Sequence, residues 1–148
     1  MQDKIFIRLA IEEAKKSLET GDVPVGALVV VGGGVIAAAH NQREALNDPT
    51  AHAEVLALRE AGRKLGRWRI PEATVYITKE PCVMCAGALM HARVERVVYG
   101  APDARFGAAW GIYNILGDDR LNHTAKVTAG VLQEECLALL REFFDSRR

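Results

Sequence analysis

The sequence carries no excess of charge of either sign: 19 basic and 19 acidic side chains give a formal net charge of zero. That excludes a protein that coats nucleic acid or an anionic membrane through bulk charge, so any such partner must be met by a local patch. A long apolar run is also missing. The most apolar stretch, 25–39, is interrupted by Gly26 and by Gly32-Gly33-Gly34, and it stops short of the ~18 residues that a bilayer crossing needs. The first residues, Met1-Gln2-Asp3-Lys4-Ile5-Phe6, hold neither an apolar signal core nor a small-residue cleavage site, so the expected compartment is the cytoplasm. Cysteine is scarce: there are three, two of them in a C-x-x-C pair, too few for a disulfide framework. No repeat, low-complexity tract or linker is visible. With 148 residues, 49% hydrophobic and 26% charged, the chain is expected to form one globular domain over 1–148.

Hydrophobic periodicity outlines the elements. Ile7, Ala10, Ile11, Ala14 and Leu18 recur at helical spacing, with Glu12, Glu13, Lys15, Lys16 and Glu19 on the other face, which predicts an amphipathic helix. Two β-rich runs, 27–31 and 35–39, flank the three glycines and predict a hairpin, the glycines supplying the positive φ of a tight reversal. No Lys-Ser/Thr and no helix follows them, so a phosphate-cradling loop is set aside. After a polar loop at 41–50, Val55, Leu58, Gly62 and Leu65 predict a second helix, with His52 and Glu54 in its first turn. Strand 74–77, helix 82–92 and strand 94–99 follow. The stretch 101–123 is irregular and rich in Gly, Asp and Asn, the kind of loop that carries function. A strand near 125–128 and a helix bearing Leu132, Cys136, Leu139, Leu140 and Phe143 close the chain. This alternation predicts an α/β fold, with an at least partly parallel sheet covered by helices.

Two motifs concentrate metal-binding and proton-transfer chemistry: His52-Ala53-Glu54 and Pro81-Cys82-Val83-Met84-Cys85. One imidazole and two thiols are ligand types that zinc takes, and the carboxylate can stay off the metal. Cys82 and Cys85, three apart at a helix start, share a face, and the helix N-terminus favours their thiolates. Within a helix Glu54 would point away from His52, so convergence requires His52 at the very start, before helical dihedrals set in. Three protein ligands leave a fourth tetrahedral position for water, the pattern of a catalytic zinc, and the metal would lower that water's pKa towards ~7. A nearby glutamate then takes and returns the proton, which suits hydrolytic removal of an amine from an aromatic ring. A lone C-x-x-C also fits a redox pair or a structural zinc, but a structural site wants a fourth ligand. The candidates are weak. Cys136 sits on an apolar stripe as a buried, inert thiol, His40 and His91 read as local hydrogen-bonders, and His123 remains.

On these residues the chain resembles the bacterial tRNA-specific adenosine deaminases of the cytidine-deaminase-like superfamily, whose H-x-E and P-C-x-x-C signature it carries. The likeness runs over nearly the whole length, through Val23-Pro24-Val25-Gly26-Ala27, His40-Asn41-Gln42-Arg43-Glu44, Pro49-Thr50-Ala51-His52-Ala53-Glu54, Glu80-Pro81-Cys82-Val83-Met84-Cys85-Ala86-Gly87-Ala88, Arg96-Val97-Val98-Tyr99-Gly100-Ala101, Leu121-Asn122-His123 and Phe143-Phe144. The zinc motif marks the superfamily; the Pro-Val-Gly segment, the Asn-His pair and the terminal double Phe with trailing arginines select the tRNA branch. The resemblance implies a three-layer α/β/α fold around a mixed five-stranded sheet. It implies a homodimer with one Zn2+ per subunit, held by His52, Cys82 and Cys85, and conversion of adenosine to inosine at the wobble position of a tRNA anticodon stem-loop. In that reaction zinc-bound hydroxide attacks C6 of the adenine, while Glu54 shuttles protons to the ring nitrogen and then to departing ammonia. A base in a single-stranded loop leaves its stack at small cost.

Substrate contacts are implied as well. Asn41 matches an asparagine that hydrogen-bonds the flipped base or its ribose, with loop capping as the alternative role, and Val25 matches a pocket valine, with core packing as the alternative. Arg43, Asp103, Arg105 and Asn122 match positions that touch the anticodon backbone or neighbouring bases. Phe144 and Arg148 match terminal aromatic and basic contacts; Phe144 otherwise completes the buried stripe of the last helix. Lys79, Phe106 and Trp110-Gly111 depart from the family pattern, on or beside the expected substrate loop. Two other functions fit the motifs. One is a deaminase of free guanine, cytosine or cytidine; the other is a non-catalytic zinc-stabilised RNA-binding protein, against which the carboxylate of Glu54 argues.

Overall fold

The computed structural model describes residues 2–147. β1 (Gly26–Val31) and β2 (Gly34–His40) form the predicted hairpin, which turns on Gly32 and Gly33 at φ 60 and 80°. A two-residue turn of this kind needs positive φ at both positions, and Gly34 already belongs to β2. On its other side β1 pairs antiparallel with β3 (Thr74–Lys79), which pairs parallel with β4 (Arg96–Ala101), itself parallel to β5 (Lys126–Thr128). The sheet is mixed and five-stranded, in the order β2-β1-β3-β4-β5. Its parallel half requires crossovers, and the one between β3 and β4 runs through α4 (Val83–His91).

Strand alternation divides the core in two. Ala27 and Val29 of β1 face α3 (Ala53–Leu65) and Leu89 of α4, whereas Leu28 and Val30 face Ile7 and Ala10 of α1 (Gln2–Lys15) and Cys136 and Leu140 of α5 (Gln133–Asp145). The result is the three-layer α/β/α arrangement. Asp3 ties α1 to the sheet by accepting hydrogen bonds from Arg96 at 2.9 and 2.6 Å and from the Tyr76 hydroxyl at 2.9 Å. The Arg96 hydrogen bonds hold its carboxyl below the usual carboxylate range. Among the described residues no helix is long and apolar enough to cross a membrane.

Three local details differ from the sequence expectation. The first helix ends at Lys15 and tightens into a 3-10 turn over Lys16–Thr20, which buries Ser17 and leaves Leu18 45% exposed. A 3-10 turn has about three residues per turn, so it rotates the face that an α-helical count assigns to Leu18. In α3 the fully buried stripe is Ala53, Ala57 and Ala61, whose small side chains let the helix lie close on the sheet; Val55 and Leu58 are half-buried and line a groove towards α4, with Leu58 also packed against the core. Within the expected loop at 41–50 lies a one-turn helix, α2 (Arg43–Leu46), whose Glu44 amide donates to the distant Asp22 carboxylate at 3.0 Å.

Close packing of α1 on β1 depends on Gly26, where an added Cβ would fall on the Ala10 carbonyl oxygen. Gly26→Ala is therefore expected to push α1 off the sheet and destabilise the protein by about 1–3 kcal/mol. Urea unfolding measures this as a lower midpoint, and an unchanged midpoint would mean that the helix has slack the structure does not show.

Candidate metal centre and its cavity

Both motifs sit at helix starts. His52 is the N-cap of α3 with φ −77° and ψ 150°, and Cys82 is the N-cap of α4 with φ −74° and ψ 178°. Neither side chain caps its own helix, which leaves imidazole and thiol available to a metal. For α3 the capping acceptor comes from elsewhere: the Asn41 side-chain carbonyl accepts the Ala53 amide at 2.8 Å. Because His52 is still extended, Glu54 in the first turn converges with it, and both line one cavity.

The imidazole Nδ1 of His52 lies 3.4 Å from Cys85 Sγ and 3.8 Å from Cys82 Sγ, and the three donor atoms are all within 4.8 Å of one another. Zn–S bonds of about 2.3 Å and a Zn–N bond of about 2.0–2.1 Å at tetrahedral angles put sulfur and nitrogen about 3.6 Å apart, so the trio fits one zinc ion. Among the described residues this is the one group of its kind. Cys136 is buried in the opposite layer, as expected of an inert thiol. His123 Nε2 lies 2.7 Å from the Val94 carbonyl oxygen, and His91 lines the α3–α4 groove. Among the described residues the buried Nδ1 of His40 has no hydrogen-bond partner.

Electrostatics divide the labour among the four groups. A hydrogen bond from Cys85 draws the Cys82 thiol down to about 4, and the His52 imidazole adds to the effect. The same hydrogen bond, together with burial, pushes Cys85 up. The Cys82 hydrogen bond likewise raises His52. Burial pushes the Glu54 carboxyl above its ordinary range.

The cavity has a volume of about 380 Å3, within the usual span of small-molecule sites, about 300–1,000 Å3. Val25, Asn41, Arg43, Asp103 and Phe144 line it with the metal-facing groups; Arg105 and Asn122 do not. Arg148 lies outside the described residues. The Asn41 carbonyl is taken by α3, so its Nδ2 hydrogens are what it can offer the cavity. Arg43 donates to Asp22 Oδ1 through Nε at 3.1 Å and Nη2 at 2.9 Å. In α5 the buried position belongs to Phe143, and Phe144 is 49% exposed on the cavity rim.

The sequence reading did not single out Glu80, a carboxylate 3% exposed at the end of β3. Its Oε1 accepts the Asp103 amide at 2.9 Å, and its Oε2 accepts those of Ala109, Trp110 and Gly111 at 3.1, 2.7 and 2.7 Å. An acidic residue directly before Pro-Cys, at the end of a buried strand, was the available signal, because a buried carboxylate needs several donors. Glu80 thereby joins the strand leading to Cys82 to the irregular loop that carries Asp103 and Phe106. The departures from the family pattern fit around this anchor. Lys79 pairs with Asp103 at 3.1 Å, Trp110 contributes its amide while its ring is 65% exposed, and a Cβ at Gly111 would fall on the Asp103 carbonyl.

Comparison with known proteins adds to this geometry. Residues 1–101 match the family model of the cytidine and deoxycytidylate deaminase zinc-binding region. The chain is 49% identical over 147 residues to the tRNA-specific adenosine deaminase of Bacillus subtilis, covering 99% of this chain and 91% of that one. It is 42% identical over 147 residues to the Haemophilus influenzae protein of the same name, covering 99% and 85%. A solved structure from work on A-to-I editing by tRNA:A34 deaminases at the wobble position superposes with a TM-score of 0.88 at 40% identity, over 91% of this chain and 98% of that one. The guanine deaminase of Nitrosomonas europaea superposes at 0.81 with 28% identity, over 93% and 81%.

Replacing Glu80 by Gln puts an NH2 group where one oxygen now accepts an amide. In the zinc-loaded Glu80→Gln protein the remaining oxygen keeps the Ala109, Trp110 and Gly111 amides and the NH2 faces Asp103, so hydrogen exchange at the Asp103 amide is expected to speed at least about tenfold, as a bond to a charged acceptor contributes ~1.5–3 kcal/mol. Metal content should not change; unaltered exchange would show that the loop is held by something else.

Proposed function

The chain belongs to the zinc-binding cytidine and deoxycytidylate deaminase family, on its tRNA-specific adenosine deaminase branch, and on that premise we propose that it hydrolyses adenosine to inosine and ammonia at the wobble position of a tRNA anticodon. The observation that carries this reading is the convergence, on one cavity of about 380 Å3, of His52, Cys82, a buried carboxylate at Glu54 and the side-chain amide of Asn41. His52, Cys82 and Cys85 would hold the zinc, which when bound would supply the Lewis acidity that makes water nucleophilic near neutral pH.

The chain's own groups do the rest. Glu54 takes a proton from the attacking water, passes it to the adenine ring nitrogen, and delivers the second to the amine that leaves C6 as ammonia. Its burial keeps the carboxyl from being levelled by bulk water. Asn41 donates from Nδ2 to the base or its ribose, and Val25 packs against the ring. Arg43, Asp103 and Phe144 meet the anticodon at the cavity rim, while Arg105 and Asn122 reach nucleotides further out.

We assign the protein to the cytoplasm, where its substrate would be, and to a homodimer. Support for self-association comes from α4, whose nine residues hold no Lys, Arg, Asp or Glu while Val83 and Met84 are 48% and 36% exposed. A solvated helix ordinarily presents charge on its outer face. Sedimentation equilibrium should give twice the chain mass, and a monomer at micromolar concentration would remove the dimer from this reading.

Glu54→Ala is expected to keep its zinc and lose turnover by at least about 10²–10⁴-fold, whereas Cys82→Ser should lose both the metal and the activity. Inosine is followed on an anticodon stem-loop with wobble adenosine, with ammonia followed in parallel from free guanine, cytosine and cytidine. Inosine from the stem-loop alone, absent in Glu54→Ala, supports the reading. Release of ammonia from a free base alone would reassign the substrate, and near wild-type turnover by Glu54→Ala would refute the proton-transfer role.

A further inference from the structure

Phe106 is 61% exposed and lines the same cavity as Asn41, His52 and Glu54. We propose that its ring is a stacking platform for a nucleobase adjoining the target adenosine, and thereby a residue that selects which single strands the site accepts. This rests on the deaminase reading above.

Three observations point the same way. First, the backbone that carries the ring is fixed before any substrate arrives. The Phe106 amide donates to Asp103 Oδ1 at 3.1 Å, Asp103 is paired with Lys79 at 3.1 Å, and Glu80 fixes the amides at 103 and 109–111. Less backbone freedom is then left to lose on stacking, which favours binding. Second, the Arg105 guanidinium lies over the ring, 5.6 Å from its centroid. A planar ring has two faces, so the opposite one remains for a base, with a cation close by for the phosphate that joins it to the target. Third, a base that enters the cavity leaves its neighbours unstacked at the mouth, and that is where this aromatic is displayed. Trp110 and Tyr113 are also more than half exposed but line no part of the cavity, so the proposal does not extend to them.

The test compares wild type, Phe106→Ala and Phe106→Trp, each zinc-loaded, on the wobble-adenosine stem-loop. Losing a stacked base should raise KM for Phe106→Ala about 5- to 150-fold, with kcat and bound zinc within about twofold of wild type, and Phe106→Trp should restore KM. Two further stem-loops carry an abasic residue on either side of the target in turn. On one of them wild type is expected to fall to the level of Phe106→Ala, and Phe106→Ala itself should be insensitive to that abasic site. An unchanged KM in Phe106→Ala overturns the proposal. So does a penalty that persists undiminished on both abasic stem-loops, because the ring would then act on something other than a neighbouring base. A wild-type protein that binds zinc but leaves the intact stem-loop unreacted overturns the deaminase reading itself, and the platform with it.

Discussion

At 2.8 Å, the side-chain carbonyl of Asn41 accepts the backbone amide of Ala53 and so fixes where α3 begins. Had His52 capped the helix itself, its ring would have been committed to the backbone. With the cap supplied from the end of β2, His52 stays extended and turns its imidazole to the two cysteines, while Glu54 follows in the first helical turn. The same bond orients the amide of Asn41, a residue that lines the cavity. Sheet edge, helix start and the positions of His52 and Glu54 therefore depend on one hydrogen bond.

The opposite wall is held by one buried carboxylate. Glu80 gathers four backbone amides from a loop that has no regular structure of its own. Such a loop would otherwise lose considerable chain entropy each time it took up a shape that receives substrate. Since Glu80 lies two residues before Cys82, the metal centre and the loop are built on the same stretch of backbone. Changes in loop side chains are then tolerated as long as the amides remain: Trp110 keeps its hydrogen bond to Glu80 and exposes its ring, and Lys79 finds a partner in Asp103.

Much of the fold was legible because periodicity reports burial one element at a time. The hairpin and the helices around the sheet follow from β-rich runs and helical spacing. The strands expected at 74–77 and 94–99 appear as Thr74–Lys79 and Arg96–Ala101, buried along nearly their whole length, so their ends lay two residues beyond what the apolar runs marked. Elements whose cause lies elsewhere in the chain were not legible. Helix α2 draws on the Asp22 carboxylate 22 residues away, and the buried face of α3 is an alanine stripe because the sheet leaves little room there, although Val55 and Leu58 are the more apolar residues. At the site, the two motifs announced the donor set and the need for His52 to stand outside its helix. That the oxygen of Asn41 is spent on the backbone, and that Arg43 reaches the cavity while paired with Asp22, depends on contacts no motif records.

By itself the sequence determined which chemistry was available: soft and borderline donors at helix starts, one carboxylate beside them, and a strand pattern able to bring helices to both faces of a sheet. Those are local properties, set by residue type and spacing along a few turns. Tertiary structure alone decided the distances. It brought His52 and Cys82, 30 residues apart in sequence, to a separation suited to one ion, buried Glu54 so that its carboxyl holds a proton more readily, and placed Glu80 under four amides. Proximity and desolvation arise only when distant segments pack together, so no reading along the chain contains them.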